Sequence, residues 1–184
     1  VRSLGLALLV LTAGLPHPHV SAAPVPEIQR LIDRLQGTWS IEERYERSEM
    51  MPEGGTSRGE EVWRAGPGGF SLIESYHSKS PALEVTGTSV TWWDGTHRLY
   101  RTVWCSSDLP DGCMQIQGRW DEGWVLTDRF EVGGRKLVMT EIFSAFTPRS
   151  FVQRLYQGES GGEPKLVMTI RATRNAASTP RPRR

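Results

Sequence analysis

The sequence predicts an all-β protein: a closed, antiparallel, up-and-down barrel of about ten strands preceded by one short amphipathic helix. Three observations carry this. Hydrophobicity switches at Gly37 from a helical period to a period of two. Turn chemistry then recurs at short intervals to the end of the chain. No later helical pattern is long enough for the crossover that a parallel sheet needs.

The helix is read over Glu27 to Gln36, where Ile28, Leu31, Ile32 and Leu35 fall at i, i+3, i+4 and i+7. Pro26 and Gly37 supply its start and stop. From Trp39 the alternation places Ile41, Glu43 and Tyr45 on the tryptophan's face, with Ser40, Glu42, Arg44 and Glu46 opposite. The segment 50–57 is expected to be a polar, Gly-rich loop. Further strands are expected near 58–65, 69–78, 83–94, 96–106, 113–121, 123–132, 135–147, 150–158 and 164–174. Between them lie Gly66-Pro67-Gly68-Gly69, Asp94-Gly95, Asp111-Gly112, Gly133-Gly134, Thr147-Pro148 and Ser160-Gly161-Gly162. Serial hairpins can form a sandwich or a barrel, and closure is expected because it removes exposed edges.

The chain of 184 residues fits one domain, with 38% hydrophobic and 23% charged residues. Leu4 to Leu15 is an apolar run of 12 residues behind Arg2, and Val20-Ser21-Ala22 is a small-x-small site. Residues 1–22 are therefore expected to be a signal peptide, and the remainder exported, to the periplasm or beyond the cell. The run is too short to span a bilayer comfortably, so no transmembrane segment is expected in the mature chain. Losing residues 1–22 removes only Arg2, leaving 21 basic against 21 acidic residues. That balance gives no polyanion signal, and the aromatics are not interleaved with a basic stripe, so no nucleic acid is expected as a partner. The barrel domain is expected over 23–174, with 175–184 (NAASTPRPRR) as a disordered basic tail. Cys105 and Cys113 are the only cysteines, separated by seven residues that look like a hairpin loop. In an exported chain such a pair is most simply a disulfide, and with no flanking His or further Cys a metal site is the poor alternative.

Gly37-x-Trp39, opening a meander after a short helix, resembles the calycin superfamily of lipocalins, fatty-acid-binding proteins and bacterial lipocalin-like relatives. Val90-Thr91-Trp92-Trp93-Asp94, Tyr100-Arg101-Thr102-Val103-Trp104, Gly118-Arg119-Trp120-Asp121 and Met168-Thr169-Ile170-Arg171-Ala172-Thr173-Arg174 look like a bacterial family of exported lipocalin-like domains of unknown function. The likeness covers about residues 35–174. It implies a lipocalin-like barrel in which Trp39 packs against an arginine of the last strand, Arg174 or, in another register, Arg171. It also raises haem, which some ten-stranded calycin relatives bind through a late histidine. No His follows His97 here, so only His77 or His97 could serve, and no cofactor is expected.

Several strands place one acid among bulky apolar residues: Glu43 beside Trp39 and Ile41, Glu74 beside Phe70, Leu72 and Tyr76, Asp128 beside Trp124, Leu126 and Phe130, and Glu141 beside Leu137, Met139 and Phe143. A buried carboxyl must be paired, wetted or protonated. The functional reading is an interior cavity, apolar in bulk, lined by Glu43, Tyr45, Glu74, Tyr76, Asp128, Phe130, Glu141 and Phe143, that holds a small apolar or amphipathic molecule without catalysis. The bland reading is that some of these acids face solvent beside Arg or Lys, and strands apolar on both faces, such as 135–147 with Val138 and Ile142, leave the choice open. No Gly-x-Ser-x-Gly elbow and no zinc-protease helix is present. Two alternatives stay open: a small enzyme using the interior carboxyls as acid and base, and a structural or partner-binding module of the cell envelope.

Overall fold

The computed structural model describes residues 23–48, 51–81, 83–109 and 111–176. The expected signal peptide and all but the first two residues of the expected basic tail lie outside these. One helix, α1 (Pro26–Leu35), is followed by ten strands: β1 (Gly37–Tyr45), β2 (Gly55–Ala65), β3 (Ser71–Lys79), β4 (Glu84–Asp94), β5 (Leu99–Ser106), β6 (Cys113–Asp121), β7 (Gly123–Val132), β8 (Arg135–Ser144), β9 (Ser150–Glu159) and β10 (Lys165–Arg174). Each strand pairs antiparallel with its neighbours in sequence, and β1 closes on β10 with Trp39 opposite Arg174 and Tyr45 opposite Met168. The closed up-and-down barrel expected from the alternation is the observed fold.

Several boundaries differ from the sequence expectation, four of them with a visible cause. β2 begins at Gly55, inside the expected loop, because Gly55, Thr56 and Ser57 pair with Tyr45, Arg44 and Glu43. A 3-10 turn over Pro67–Gly69 delays β3 to Ser71, which leaves Phe70 outside the strand and 44% exposed rather than on the face of Leu72 and Glu74. β8 stops at Ser144, where Ala145 takes φ 52°. Asn175, placed in the expected tail, is tied to β1: its backbone N donates to Thr38 O at 2.8 Å, and its side chain pairs with Ser40 Oγ at 2.6 Å.

The helix plugs one end. Ile28, Leu31, Ile32 and Leu35 are buried against an aromatic core of Trp39, Trp63, Tyr100, Trp124, Phe143 and Phe151. Trp39 Nε1 donates to Leu35 O at 2.7 Å and Tyr100 Oη to Glu27 O at 3.0 Å, so the plug is stitched to the wall at both ends. The Arg174 guanidinium lies 4.0 Å from the Trp39 ring centroid, a cation–π contact, and its nitrogens donate to the carbonyls of Arg34, Gln36 and Pro148. Arg171 points outward and is exposed. Gly37 takes φ 135°, and any Cβ there would occupy the space of the Arg174 guanidinium. The Gly-x-Trp pattern is therefore a backbone and stacking requirement of the closed end.

Candidate functional site at the open end

Away from the plug, the inward positions change character. β1 continues inward from Trp39 and Ile41 to Glu43, 1% exposed, and then Tyr45. β2 points Trp63, then Glu61 (1% exposed), then Ser57 inward. β3 points Leu72, then Glu74, Tyr76 and Ser78. Across the barrel β8 points Phe143, then Glu141, Met139 and Leu137, and β9 points Phe151 and then Gln153. A layer of four carboxyls thus lies above the aromatic core.

Glu43 sits in a cage of hydroxyls. Tyr45 Oη donates to Oε2 at 2.8 Å and Ser78 Oγ to the same oxygen at 2.6 Å; Ser57 Oγ also donates to Oε2, and Tyr76 Oη to Oε1. Ser57 and Ser78 are in addition 2.9 Å from each other. Each hydroxyl carries one proton, so those two serines cannot make all three of their mutual and carboxyl contacts as hydrogen bonds at once. Registry brings the cage together, since Ser57 is the cross-strand partner of Glu43. Tyr76 is turned edge-on to Trp104, with centroids 5.7 Å apart, and Gly87 leaves the room: a Cβ there would strike the Trp104 ring.

The other three carboxyls have fewer donors. Glu61 accepts from Trp63 Nε1 at 2.9 Å, Glu74 from Ser89 Oγ at 2.8 Å, and Glu141 from Gln153 Nε2. Burial pushes Glu61 up to about 7, against the Trp63 hydrogen bond and with Glu43 adding repulsion. Burial raises Glu141 to about 8, with Glu61 contributing. Glu74 is also held well above the carboxyl range by burial and then by Glu61. Glu61 and Glu74 on β2 and β3 and Glu141 on β8 all occupy inward positions. Burial likewise raises the phenols, Tyr45 to about 12 and Tyr76 further, both also opposed by Glu43.

Above the cage is a recess of about 280 Å³ lined by Tyr45, Met51, Gly55, Ser57, Ser78, Pro81, Leu83 and Val85. Tyr45, Ser57 and Ser78 of the hydroxyl cage form its floor, and its walls are mostly apolar, with Thr56 and Ser80 also lining it. A second recess of about 280 Å³ lies on the far rim beside Phe130, Leu137 and Val138.

The eight residues expected to line a cavity are therefore distributed. Glu43, Tyr45 and Tyr76 meet in one cage. Glu74 and Glu141 belong to the deeper layer. Asp128, raised by burial and accepting from the backbone N of Arg129 at 2.8 Å, stands with Phe130 at the opposite rim. Phe143 does not reach this space: it is 2% exposed and packed on Trp124, with centroids 4.7 Å apart, in the closed-end core. Sequence reasoning missed Glu61, Ser57, Ser78 and Gln153. Glu61 did carry a signal, standing two residues before Trp63 as Glu43 stands after Trp39 and Ile41. His77 and His97 are exposed and engaged by Glu84 and Asp94 at 2.9 and 2.8 Å, away from the interior. Cys105 and Cys113, cross-strand partners on β5 and β6, form a disulfide at the open rim. Among the described residues, no group of three or more His, Cys, Asp or Glu is arranged to hold a metal ion, and no helix is long and apolar enough to cross a membrane.

No protein-family model and no curated protein matches the chain by sequence. Among solved structures, it is similar to the S-type phycobiliprotein lyase CPES from Guillardia theta, with a TM-score of 0.54 at 12% identity, over 82% of this chain and 94% of that one. The fold is a lipocalin-like barrel. At this identity the likeness extends to the fold alone, and the open-end side chains must be argued from their own geometry.

Proposed function

We propose that this protein binds a small, mostly apolar molecule through the open end of its barrel, without catalysis, outside the cytoplasm. The observation that carries the reading is the recess beside β1, β2 and β3: apolar walls of Met51, Pro81, Leu83 and Val85 over a floor of Tyr45, Ser57 and Ser78. Such a site binds an apolar body by burial and orients one polar group by hydrogen bonds. The half-open interior supports it as well, since Met114, Met139 and Met168 line the open half from β6, β8 and β10, partly exposed, and methionine adapts to the shape it meets. The disulfide and the signal-like N-terminus support an exported chain. The likeness to a phycobiliprotein lyase supports the barrel as a scaffold and is not extended to that protein's activity.

Native mass spectrometry of protein purified from its own host, followed by solvent extraction, tests this. The expected result is a non-covalent adduct that is lost when Val85→Trp fills the recess. Protein that carries no adduct, and also leaves the fluorescence of an apolar dye unchanged, overturns the reading.

A second reading, acid–base catalysis, is favoured by Glu61 and Glu141, which burial moves to about 7 and about 8, where a carboxyl can both give and take a proton near neutral pH. It predicts a turnover whose pH profile shifts in Glu61→Gln. Ligand released chemically unchanged from the native protein counts against it.

A further inference from the structure

The interior carboxyls are partnered by hydroxyls, an indole and an amide. Each of these donors is neutral, so the charge that any one of the acids would carry is hydrogen-bonded without being cancelled. A second feature sits at the same place. Gln153 is 7% exposed, and while its Nε2 donates to Glu141, its Oε1 is buried without a hydrogen-bond partner among the described residues. A buried acceptor left unpaired is costly, and native interiors rarely tolerate one without a reason. Turning the amide over would bring Oε1 to Glu141 and strand the Nε2 donor instead. One position on this amide is therefore always short of a partner, beside a carboxyl that lacks a cation.

Both deficits are removed by one chemical group. An ammonium brings three donors and one positive charge. A hydroxyl brings one donor and no charge, and a carboxylate brings acceptors and the wrong charge. Above this point the inward side chains of the open half include Met114, Met139, Leu155 and Met168, which accommodate a flexible chain.

We propose that the carboxyl layer binds the protonated amino group of an amphipathic amine, its ammonium donating to Gln153 Oε1 and to the carboxyls of Glu141 and Glu61, and its apolar body lying among the methionines of the open half. The proposal rests on the reading that the open end of the barrel binds a ligand, places the ligand's polar group at the carboxyl layer rather than in the recess beside β1, β2 and β3, and names the ligand's chemical class. A carboxyl that is protonated in the empty protein gives its proton to solvent as the ammonium arrives, so binding releases a proton and tightens as pH rises through the range where these acids titrate. The other titratable groups facing this space are Glu43 and Tyr45 from β1, Glu74 and Tyr76 from β3, and Asp128 from β7; the guanidinium of Arg174 is at the opposite, plugged end.

Isothermal titration of the full, disulfide-bonded protein with octylamine, octanol and octanoate tests this at constant chain length. Octylamine is expected to bind at least about tenfold tighter than octanol, with octanoate weakest, as a charge-assisted hydrogen bond requires. Its heat of binding should differ between two buffers of unlike ionisation enthalpy, because a proton is released. Glu141→Gln should reduce the amine's advantage over octanol to about threefold or less. Should Glu141→Gln fail to fold, as judged by near-ultraviolet circular dichroism, Glu61→Gln replaces it; Glu84→Gln, on the outer surface, should change nothing. Equal binding of the three probes, or a neutral or anionic ligand extracted from the native protein, overturns the amine proposal and leaves the ligand-binding reading standing. Failure of all three probes to bind overturns both.

Discussion

The two ends of the barrel are built from the same strands and obey opposite rules. At the plugged end the inward side chains are apolar or aromatic apart from Thr91 and Thr102, which hydrogen-bond each other at 2.8 Å; Trp39, Trp63, Tyr100, Trp124, Phe143 and Phe151 are at most 2% exposed, and Trp39 and Tyr100 each spend their polar atom on the helix. One turn of pleat further along the same strands, the inward positions are Glu43, Glu61, Glu74 and Glu141, followed by hydroxyls, methionines and a recess open to solvent. Burying apolar area stabilises the first region, at roughly 25 cal/mol per Å². Burying carboxyls without cations costs stability in the second. The barrel therefore concentrates its apolar burial at one end and its uncompensated carboxyls toward the other.

The largest expected effect is a break of the plugged end. Trp39→Ala removes the ring beneath Arg174, its hydrogen bond to Leu35 and its edge contact with Phe151, whose centroid is 4.8 Å away. A loss of about 3–5 kcal/mol in urea unfolding is expected. A loss below about 1 kcal/mol would mean that the closed end does not dominate stability.

Next comes the one cross-link of the open rim. Cys105 and Cys113 close a short loop, so Cys105→Ser with Cys113→Ser should cost about 2–3 kcal/mol through the unfolded state. Because the effect lies in the unfolded chain, apolar-dye binding by the folded protein should persist. If dye binding is lost with the disulfide, the rim is part of the site's shape and the two ends are coupled.

The contrast between the ends also explains what was legible in the sequence. The strand count and the closed barrel were readable because they rest on local patterns, alternation and turn residues; the packing of Trp39 on Arg174 came only with the resemblance that the Gly-x-Trp step carries, which left Arg171 open as well. The acids of β1, β3 and β8 could be found because each stands alone among bulky neighbours. Glu61 was hidden by Glu60 beside it and by the unassignable Gly59, which blurred the face of β2. Ser57, Ser78 and Gln153 could not be read as site residues from their own strands. Their role comes from register, which places Ser57 opposite Glu43 and brings Ser78 from the next strand but one. Phe143 shared Glu141's face correctly, but depth along the axis, which alternation does not encode, puts it in the core.

The buried acids make stability depend on pH in an unusual direction. For Glu61 and Glu141 the folded values, about 7 and about 8, lie above the usual carboxyl value near 4.5 of an unfolded chain. The folded protein then binds more protons than the unfolded chain between those values, so stability is fully present below about pH 4.5 and falls as pH rises toward 7–8. Other carboxyls, such as Asp94, lowered to about 2 by its bonds to His97 and Arg101, act in the opposite sense at lower pH. The melting temperature should therefore be higher at pH 5.5 than at pH 8.5, each kcal/mol being worth about 2–4 °C in a domain of this size. Glu61→Gln should flatten that slope. A stability that rises from pH 5.5 to pH 8.5 would mean that these carboxyls are ionised and solvated, and would remove the contrast between the ends.

The smallest effect sharpens the comparison inside the open end itself. Tyr76→Phe removes one of the four hydroxyls around Glu43 while keeping the ring that packs on Trp104. A core hydrogen bond to a carboxyl is worth roughly 1.5–3 kcal/mol. Here three further hydroxyls from Tyr45, Ser57 and Ser78 remain, and the two serines already compete for the same protons. Releasing Oε1 lets one of them turn to the vacated oxygen, so the net loss should stay near or below about 1 kcal/mol. Binding should respond more than stability does. Three hydroxyls of the cage, those of Tyr45, Ser57 and Ser78, line the recess, and rearranging them alters the surface that a ligand meets there. Apolar-dye affinity measured beside urea unfolding reads both at once: a several-fold change in affinity with little change in midpoint assigns the cage to binding. A large fall in midpoint with unchanged affinity would instead make the cage part of the structural core, and move the line between the two regions one layer up the barrel.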